Sequence, residues 1–421
     1  MLPFIPGVLS ARSGLARASL LGVLLAAGSV QAESALMQEV DSRSAPEASE
    51  QRAGFVDWLG AFRRRAAGQG ISERTLERAL DGVRYRPEVI ENDRYQPEFV
   101  RPIWQYLDTA VSSARVNTGR EKLAAHRATA RAMQKRYGVP AEVIVAIWGI
   151  ESNYGRHFGD YSTLDAFATL AFDGRRRDFA RQELLAALKI IDAGDIAADD
   201  MVGSWAGAMG HTQFIPSSFR AYAVDGDGDG RRDIWGSIPD VMASTANYLK
   251  RAGWQPGQPW GTEVRLPEDF DYAQTGQLST AQWRRRGVRA VDGATLPEFA
   301  EAKIIVPAGA EGPAFLTGPN FRSILRYNNA TSYALAVAKL SDAVAGRRGI
   351  VNAWPREQAP LTRDDVTRLQ RLLNRAGYEV GGADGIMGPN TRKGLRAFQR
   401  DQGLTADGFA TQALLKRLEN S

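Results

Sequence analysis

The sequence predicts a mainly α (α+β) protein: a large helical unit with a small β-containing insertion, followed by a C-terminal three-helix module. Three observations carry this. Helical periodicity dominates from Phe55 to about Leu340, as in Arg120 to Tyr137 and Ala141 to Ile150. Between about Gly257 and Gly318 the pattern changes to short β-prone pieces, Thr262-Glu-Val-Arg-Leu and Lys303-Ile-Ile-Val, set among Pro and Gly. After residue 360 an internal repeat appears.

The N-terminal stretch differs from the rest. Arg12 and Arg17 precede the apolar run Leu20-Leu-Gly-Val-Leu-Leu-Ala-Ala27, which ends in Ser29-Val-Gln-Ala32, a small-residue cleavage pattern. Residues 1–32 are therefore expected to be an export signal, whose apolar stretch is too short to span a bilayer. The 421-residue chain has no cysteine, so neither a disulfide nor a lipid-modified cysteine is expected, and no transmembrane segment follows the signal. Residues 33–52, rich in Ser, Glu, Gln and Ala without apolar periodicity, read as a flexible leader. Of the formal net charge of +5, the two signal arginines supply +2, leaving +3 for the remainder. So small an excess argues against a nucleic-acid partner; it reads as a mixed-charge surface, although it would also suit a polymer carrying carboxylates.

Helical signal resumes after the insertion, from Ser332 to Val344. The stretch from Gly346 to Pro360 lacks either apolar period and ends in proline, so 346–360 is expected to be a linker. In the repeat beyond it, Leu369-Gln370 is followed by Gly377-Tyr378 and Asp384-Gly385. Phe398-Gln399 is followed by Gly403-Leu404 and Asp407-Gly408. Each half reads as one amphipathic helix plus an Asp-Gly turn.

Glu151 is the first candidate for chemistry. It follows Val143 to Ile150, eight residues with no charge, so the helix must be buried and must deliver a carboxyl group to an apolar wall. Desolvation there raises the pKa, and a carboxyl that stays protonated near neutrality suits proton donation to a glycosidic oxygen. A structural glutamate capping a neighbouring helix fits the segment equally well. Further along, Ala206, Gly207, Ala208 and Gly210 lie between Ser204 and Gln213, where backbone could approach a ligand closely.

Three separated motifs together resemble the lytic murein transglycosylase B family: Trp148-Gly-Ile-Glu-Ser-Asn-Tyr-Gly-Arg156; Ala206-Gly-Ala-Met-Gly with Gln213-Phe-Ile-Pro-Ser-Ser218; and Tyr327-Asn-Asn with Tyr333-Ala-Leu-Ala-Val337. The likeness runs from about Phe55 to Val344. It implies a lysozyme-like helical catalytic domain over 53–345 with Glu151 as its single catalytic carboxyl. The implied substrate is the peptidoglycan glycan strand, cut between N-acetylmuramic acid and N-acetylglucosamine to leave a 1,6-anhydro end. No cofactor is implied for the chemistry, and the implied location is the periplasm.

The same resemblance assigns Ser204 and Gln213 to sugar contacts, and Tyr106, Tyr248, Tyr327, Tyr333 and Asn328 to the substrate groove. Arg176 and Arg177 resemble positions that contact a muramic-acid or peptide carboxylate, a task suited to a guanidinium fork; a solvated surface run reads as well. Residues 361–421 resemble a peptidoglycan-binding domain through Val366-Thr-Arg-Leu-Gln-Arg-Leu-Leu373 and Asp384-Gly-Ile-Met-Gly-Pro-Asn-Thr391.

Asp225, Asp227, Asp229 and Asp233 stand at positions 1, 3, 5 and 9 of an EF-hand-like loop with Gly230 at position 6, while position 12 is Gly236. A structural Ca²⁺ held by Asp225, Asp227, Asp229 and the Arg231 backbone is expected, against an empty acidic turn. The resemblance implies closure by a later carboxylate, here Asp240. His126, His157 and His211 share no metal-ligand spacing, which argues against a zinc peptidase.

Two other readings remain open. A lysozyme-type hydrolase would use an aspartate such as Asp160 or Asp165 to activate water. A non-catalytic wall-binding protein would leave Glu151 structural.

Overall fold

The structure is a computed structural model that describes residues 50–95 and 101–420. The expected signal, and residues 33–49 of the expected leader, lie outside the described residues.

Helix α1 spans 50–68 and is followed by α2 (Glu73–Leu80), α3 (Pro87–Arg94), α4 (Ile103–Ala110), α5 (Ser113–Ala125), α6 (Arg127–Tyr137) and α7 (Ala141–Ser152). A short strand β1 (Tyr161–Ser162) leads to α8 (Thr163–Asp173) and α9 (Arg177–Asp192), then β2 (Val202–Gly203), α10 (Pro216–Tyr222) and α11 (Ile238–Arg251). The insertion holds β3 (Gly261–Arg265), α12 (Thr280–Arg285), β4 (Arg289–Ala290), β5 (Lys303–Ile305) and β6 (Ala314–Thr317). The helical unit closes with α13 (Pro319–Tyr327) and α14 (Thr331–Val344), and the module follows as α15 (Arg363–Arg375), α16 (Pro389–Asp401) and α17 (Gln412–Glu419).

Helix α7 is the centre of one core. Val143 to Trp148 are all buried, as an all-round apolar helix requires, and residues of α6, α11, α13 and α14 pack around them. A second core gathers α1, α2, α8, α9 and α10 around Phe167, Leu184 and Phe219. Tyr327 packs against both cores, so the C-terminal end of α13 lies at their boundary.

The stretch Arg120 to Tyr137, expected as one helix, is two. His126 ends α5 and begins α6 with φ −111° and ψ 28°, and its ring meets Trp148 edge-on at 5.9 Å. The bend lets both helices lie against α7, which outweighs the local preference for a continuous helix.

The insertion forms an antiparallel sheet ordered β4-β3-β6-β5, with Leu316 of β6 paired to Thr262 on one side and Ile304 on the other. Its inner face, Val264, Ile304, Ala314 and Leu316, closes over Trp283 of α12. The central strand β6 is buried throughout, with Phe315 turned into the core around α7, so the sheet is covered on both faces there.

The repeat in the module has a hydrogen-bond basis. Gln370 is buried on α15; its amide nitrogen donates to the Asp384 carboxylate (2.9 Å) and its carbonyl accepts from Gly385 N (2.9 Å). Gln399 on α16 does the same with Asp407 and Gly408, both at 2.7 Å. Each Asp-Gly turn is thus pinned by one buried glutamine, which satisfies polar groups that would otherwise be stranded in the core.

Candidate active site

Glu151 sits one residue before the end of α7 and is 9 % exposed. Burial pushes its carboxyl from the ordinary 4.5 to about 8, and a hydrogen bond donated by the Tyr333 hydroxyl to Oε1 offsets part of that rise. No aspartate or glutamate among the described residues contributes to the shift. The carboxyl is therefore protonated at neutral pH, with one phenol positioned to stabilise its ionised form.

The tyrosines expected around Glu151 are brought together from four helices. Tyr333 on α14 lies parallel to Tyr327 on α13 with ring centres 6.4 Å apart, and Tyr327 meets Tyr248 on α11 at 4.6 Å. Burial, with the nearby Glu151 carboxylate adding, pushes the Tyr106 hydroxyl on α4 to about 12; the same two causes raise Tyr327 and Tyr333 well above the ordinary value. All four stay neutral donors across the physiological range. Tyr248 donates to Arg326 O (2.5 Å) and Tyr327 to Thr212 O (2.7 Å), so these two rings are fixed by backbone. Asn328, at the end of α13, is buried with a side-chain oxygen that accepts no hydrogen bond from protein.

The chain turns sharply after Glu151. Asn153 and Tyr154 both take left-handed φ, 49° and 60°, a conformation costing roughly 1–2 kcal/mol per non-glycine residue. Two contacts offset that strain: Tyr154 donates to Arg115 O at 2.8 Å, and its ring packs flush on α7 where Gly149 lacks a side chain. A Cβ at Gly149 would stand 2.5 Å from that ring. Behind Glu151, the Trp148 indole donates to Nδ1 of His211 (3.1 Å) and stacks on it. Burial, opposed by Asp233 and aided by Lys122, pulls His211 down to about 4, so it is neutral and able to accept. Sequence reasoning gave His211 no role beyond excluding a metal site; its signal was its place two residues before Gln213.

The loop with Ser204 and Gln213 is tied to the same end of α7, since Ser152 Oγ donates to His211 O (2.9 Å). Gln213 has φ 51°, and its amide nitrogen donates to Phe158 O (3.0 Å) and Gly210 O (2.9 Å). Ser204 Oγ accepts from Ala208 N at 3.1 Å. Both residues therefore shape the loop through their own hydrogen bonds.

Arg176 and Arg177 are exposed at the start of α9, where Arg177 faces Asp173 at 3.8 Å. Neither has a described contact with Glu151 or the tyrosines. Asp165 is held by Arg84 N (2.9 Å) and Arg86 Nε (2.8 Å), and Asp160 is exposed. Clefts of about 680 and 500 Å³ open beside Glu142 and Val143 at the other end of α7, and neither is lined by an expected site residue.

In the acidic loop, carboxylate oxygens of Asp225, Asp227 and Asp229 lie within 4.8 Å of one another, an all-oxygen set that fits a hard cation. The Arg231 backbone N–H donates to Asp229 (2.8 Å). Asp240 is fully buried and stands outside that group; its oxygens accept from Gly226 N (2.7 Å) and Asp233 N (2.6 Å), bracing the two ends of the loop.

A model described as Transglycosylase SLT domain matches residues 54–342, and one for a peptidoglycan binding domain matches 362–418. Among curated relatives, membrane-bound lytic murein transglycosylase B of Escherichia coli is 38 % identical over 216 residues, covering 50 % of this chain and 58 % of that protein. Among solved structures, SltB3 of Pseudomonas aeruginosa in complex with NAG-anhNAM-pentapeptide is 51 % identical with TM-score 0.84, covering 87 % of this chain and 99 % of that one. Escherichia coli lytic transglycosylase Slt35 in complex with calcium is 29 % identical with TM-score 0.60, covering 68 % and 92 %. The first model encloses Glu151, all four tyrosines and the acidic loop, and the chain belongs to the Transglycosylase SLT domain family.

Proposed function

We propose that the protein is a peptidoglycan lytic transglycosylase that cuts the β-1,4 bond between N-acetylmuramic acid and N-acetylglucosamine, using Glu151 first as acid and then as base. The observation that carries this is a buried, protonated Glu151 whose one charged-state partner is the Tyr333 phenol. Among the described residues no other carboxylate contributes to the Glu151 shift, which favours a single-carboxyl mechanism over the paired carboxylates of most glycoside hydrolases.

The steps follow from that environment. Glu151 gives its proton to the glycosidic oxygen as the C1–O bond breaks, and the substrate's own acetamido oxygen stabilises the positive charge at C1. The resulting Glu151 carboxylate, held by Tyr333, then takes the proton of the C6 hydroxyl as that oxygen bonds to C1. Protons balance, and no water is consumed. Tyr106, Tyr248, Tyr327 and Asn328 would line the sugar path, with Ser204 and Gln213 on its loop side. Arg176 and Arg177 would meet carboxylates of the peptide stem.

In the same reading, residues 1–32 direct export to the periplasm, 53–345 form the catalytic domain and 361–421 bind peptidoglycan. Tethering two modest binding units to one polymer raises the effective affinity for the wall. The acidic loop would hold Ca²⁺ through Asp225, Asp227, Asp229 and the Arg231 carbonyl, with Asp240 as brace, giving a structural ion without a part in the chemistry.

Substituting Glu151→Gln tests the assignment. Release of anhydro-muropeptides from purified sacculi should fall by about 10²–10⁴-fold, the range for losing a general acid. Undiminished release would refute it, and products with reducing ends would identify a hydrolase instead.

A further inference from the structure

Residues 346–360 contain no helix or strand, yet they are bound along the helical unit at every turn. Arg347 meets Asp342 at 3.3 Å. The buried Glu263 carboxylate accepts from Val351 N (2.7 Å) and Asn352 N (2.8 Å). Trp354 packs between Trp104 and Phe315, with ring centres 6.3 and 6.5 Å away. Arg356 grips Asp108 with both terminal nitrogens, at 2.7 and 2.9 Å, and Gln358 donates to Glu311 at 2.6 Å.

Two of these contacts fall on α4. Trp104 and Asp108 are four residues apart and so share one face of that helix. Tyr106 lies two residues from each, roughly 200° around the axis at about 100° per residue, which puts it on the opposite face. That face carries Tyr106 into the electrostatic reach of Glu151 and Tyr333. The helix is eight residues long, too short to hold a fixed position by its own hydrogen bonds.

We propose that Trp354 and Arg356 form a strap that positions α4 from behind, so that the chain leading to the C-terminal module sets where Tyr106 stands against Glu151. Trp354 and Arg356 act through α4, as positioning residues. The inference rests on the proposed reading, in which Tyr106 lines the sugar path. A planar guanidinium on a carboxylate fixes direction as well as distance, which a point charge would not do.

The test uses the full chain and a soluble NAG-NAM oligosaccharide, with kcat and KM measured separately. Arg356→Asp should raise KM about fivefold, the effect of a well-formed surface pair, and leave kcat within about twofold of the parent. Asp108→Arg should do the same, and the double variant Asp108→Arg/Arg356→Asp should return KM to within about twofold. If Arg356→Asp unfolds more readily than the parent, Arg356→Gln carries the same expectation without opposing Asp108. An unchanged KM in the folded single variants, or a double variant no better than either single one, overturns the strap. Failure of the underlying reading shows separately, as retained activity in Glu151→Gln.

Discussion

Glu151 and Asp225 carry the same functional group, and the fold treats them in opposite ways. The Glu151 carboxyl closes an apolar helix and is pushed up to about 8 because burial penalises its charge. The Asp225 carboxyl lies in a glycine-rich loop near the surface, where the Gly230 and Gly228 N–H groups hold it below its ordinary value. One environment keeps a proton for use, and the other keeps a negative charge for a cation. The difference lies in what surrounds each group: eight uncharged residues and a phenol in one case, amide donors and neighbouring aspartates in the other.

The comparison predicts opposite pH dependences of stability. Glu151 titrates higher in the folded chain than its ordinary 4.5, so its stabilisation is full below pH 4.5 and is lost as pH rises through about 8. Glu151→Gln removes that loss, so its stability relative to the parent should rise by on the order of 5 kcal/mol between about pH 4 and pH 9, read by urea unfolding. Asp225 titrates lower than usual, so Asp225→Asn should differ from the parent above its ordinary carboxylate range and converge with it in acid. Two variants with the same sign of dependence would break the comparison.

A smaller effect concerns the cation. At free Ca²⁺ about a hundredfold above its dissociation constant, the parent should gain roughly 3 kcal/mol of stability, visible as a higher unfolding temperature. The gain should vanish in Asp227→Asn, and kcat should not follow it, because no carboxylate of the loop contributes to the Glu151 shift. A kcat that tracked Ca²⁺ occupancy would show the two regions to be coupled, through Asp233 beside His211 and His211 against Trp148.

Smaller still is the effect of Tyr333→Phe. Losing the phenol removes the donor that favours the ionised carboxyl, so kcat should drop about tenfold and the alkaline fall in rate should move to higher pH. A fall that moved to lower pH would mean that Tyr333 acts through something other than this bond.

Much of this contrast was legible in the sequence. An uncharged run ending in glutamate is a local pattern, and so is an alternation of aspartate and glycine. The helical unit, the β insertion and the three-helix module follow from local periodicities as well, and the motif resemblance gathered Tyr106, Tyr248, Tyr327 and Tyr333 around Glu151. What stayed out of reach depends on contacts between distant residues. The break at His126 is decided by packing on Trp148, and the bracing role of Asp240 by amides at Gly226 and Asp233. The pinning of each Asp-Gly turn by Gln370 or Gln399 was hidden in a repeat whose letters were visible but whose bonds were not. The segment 346–360 lacks periodicity, so its grip on α4 through Trp354 and Arg356 left no trace in the local pattern.

The protonation of Glu151 is the claim on which the chemistry depends, and its carboxyl-carbon resonance reports it directly. In protein labelled at glutamate side chains, the signal that disappears in Glu151→Gln should titrate with a midpoint near 8. A midpoint at or below the ordinary 4.5 would show a carboxylate already ionised at neutral pH, and would contradict its role as proton donor.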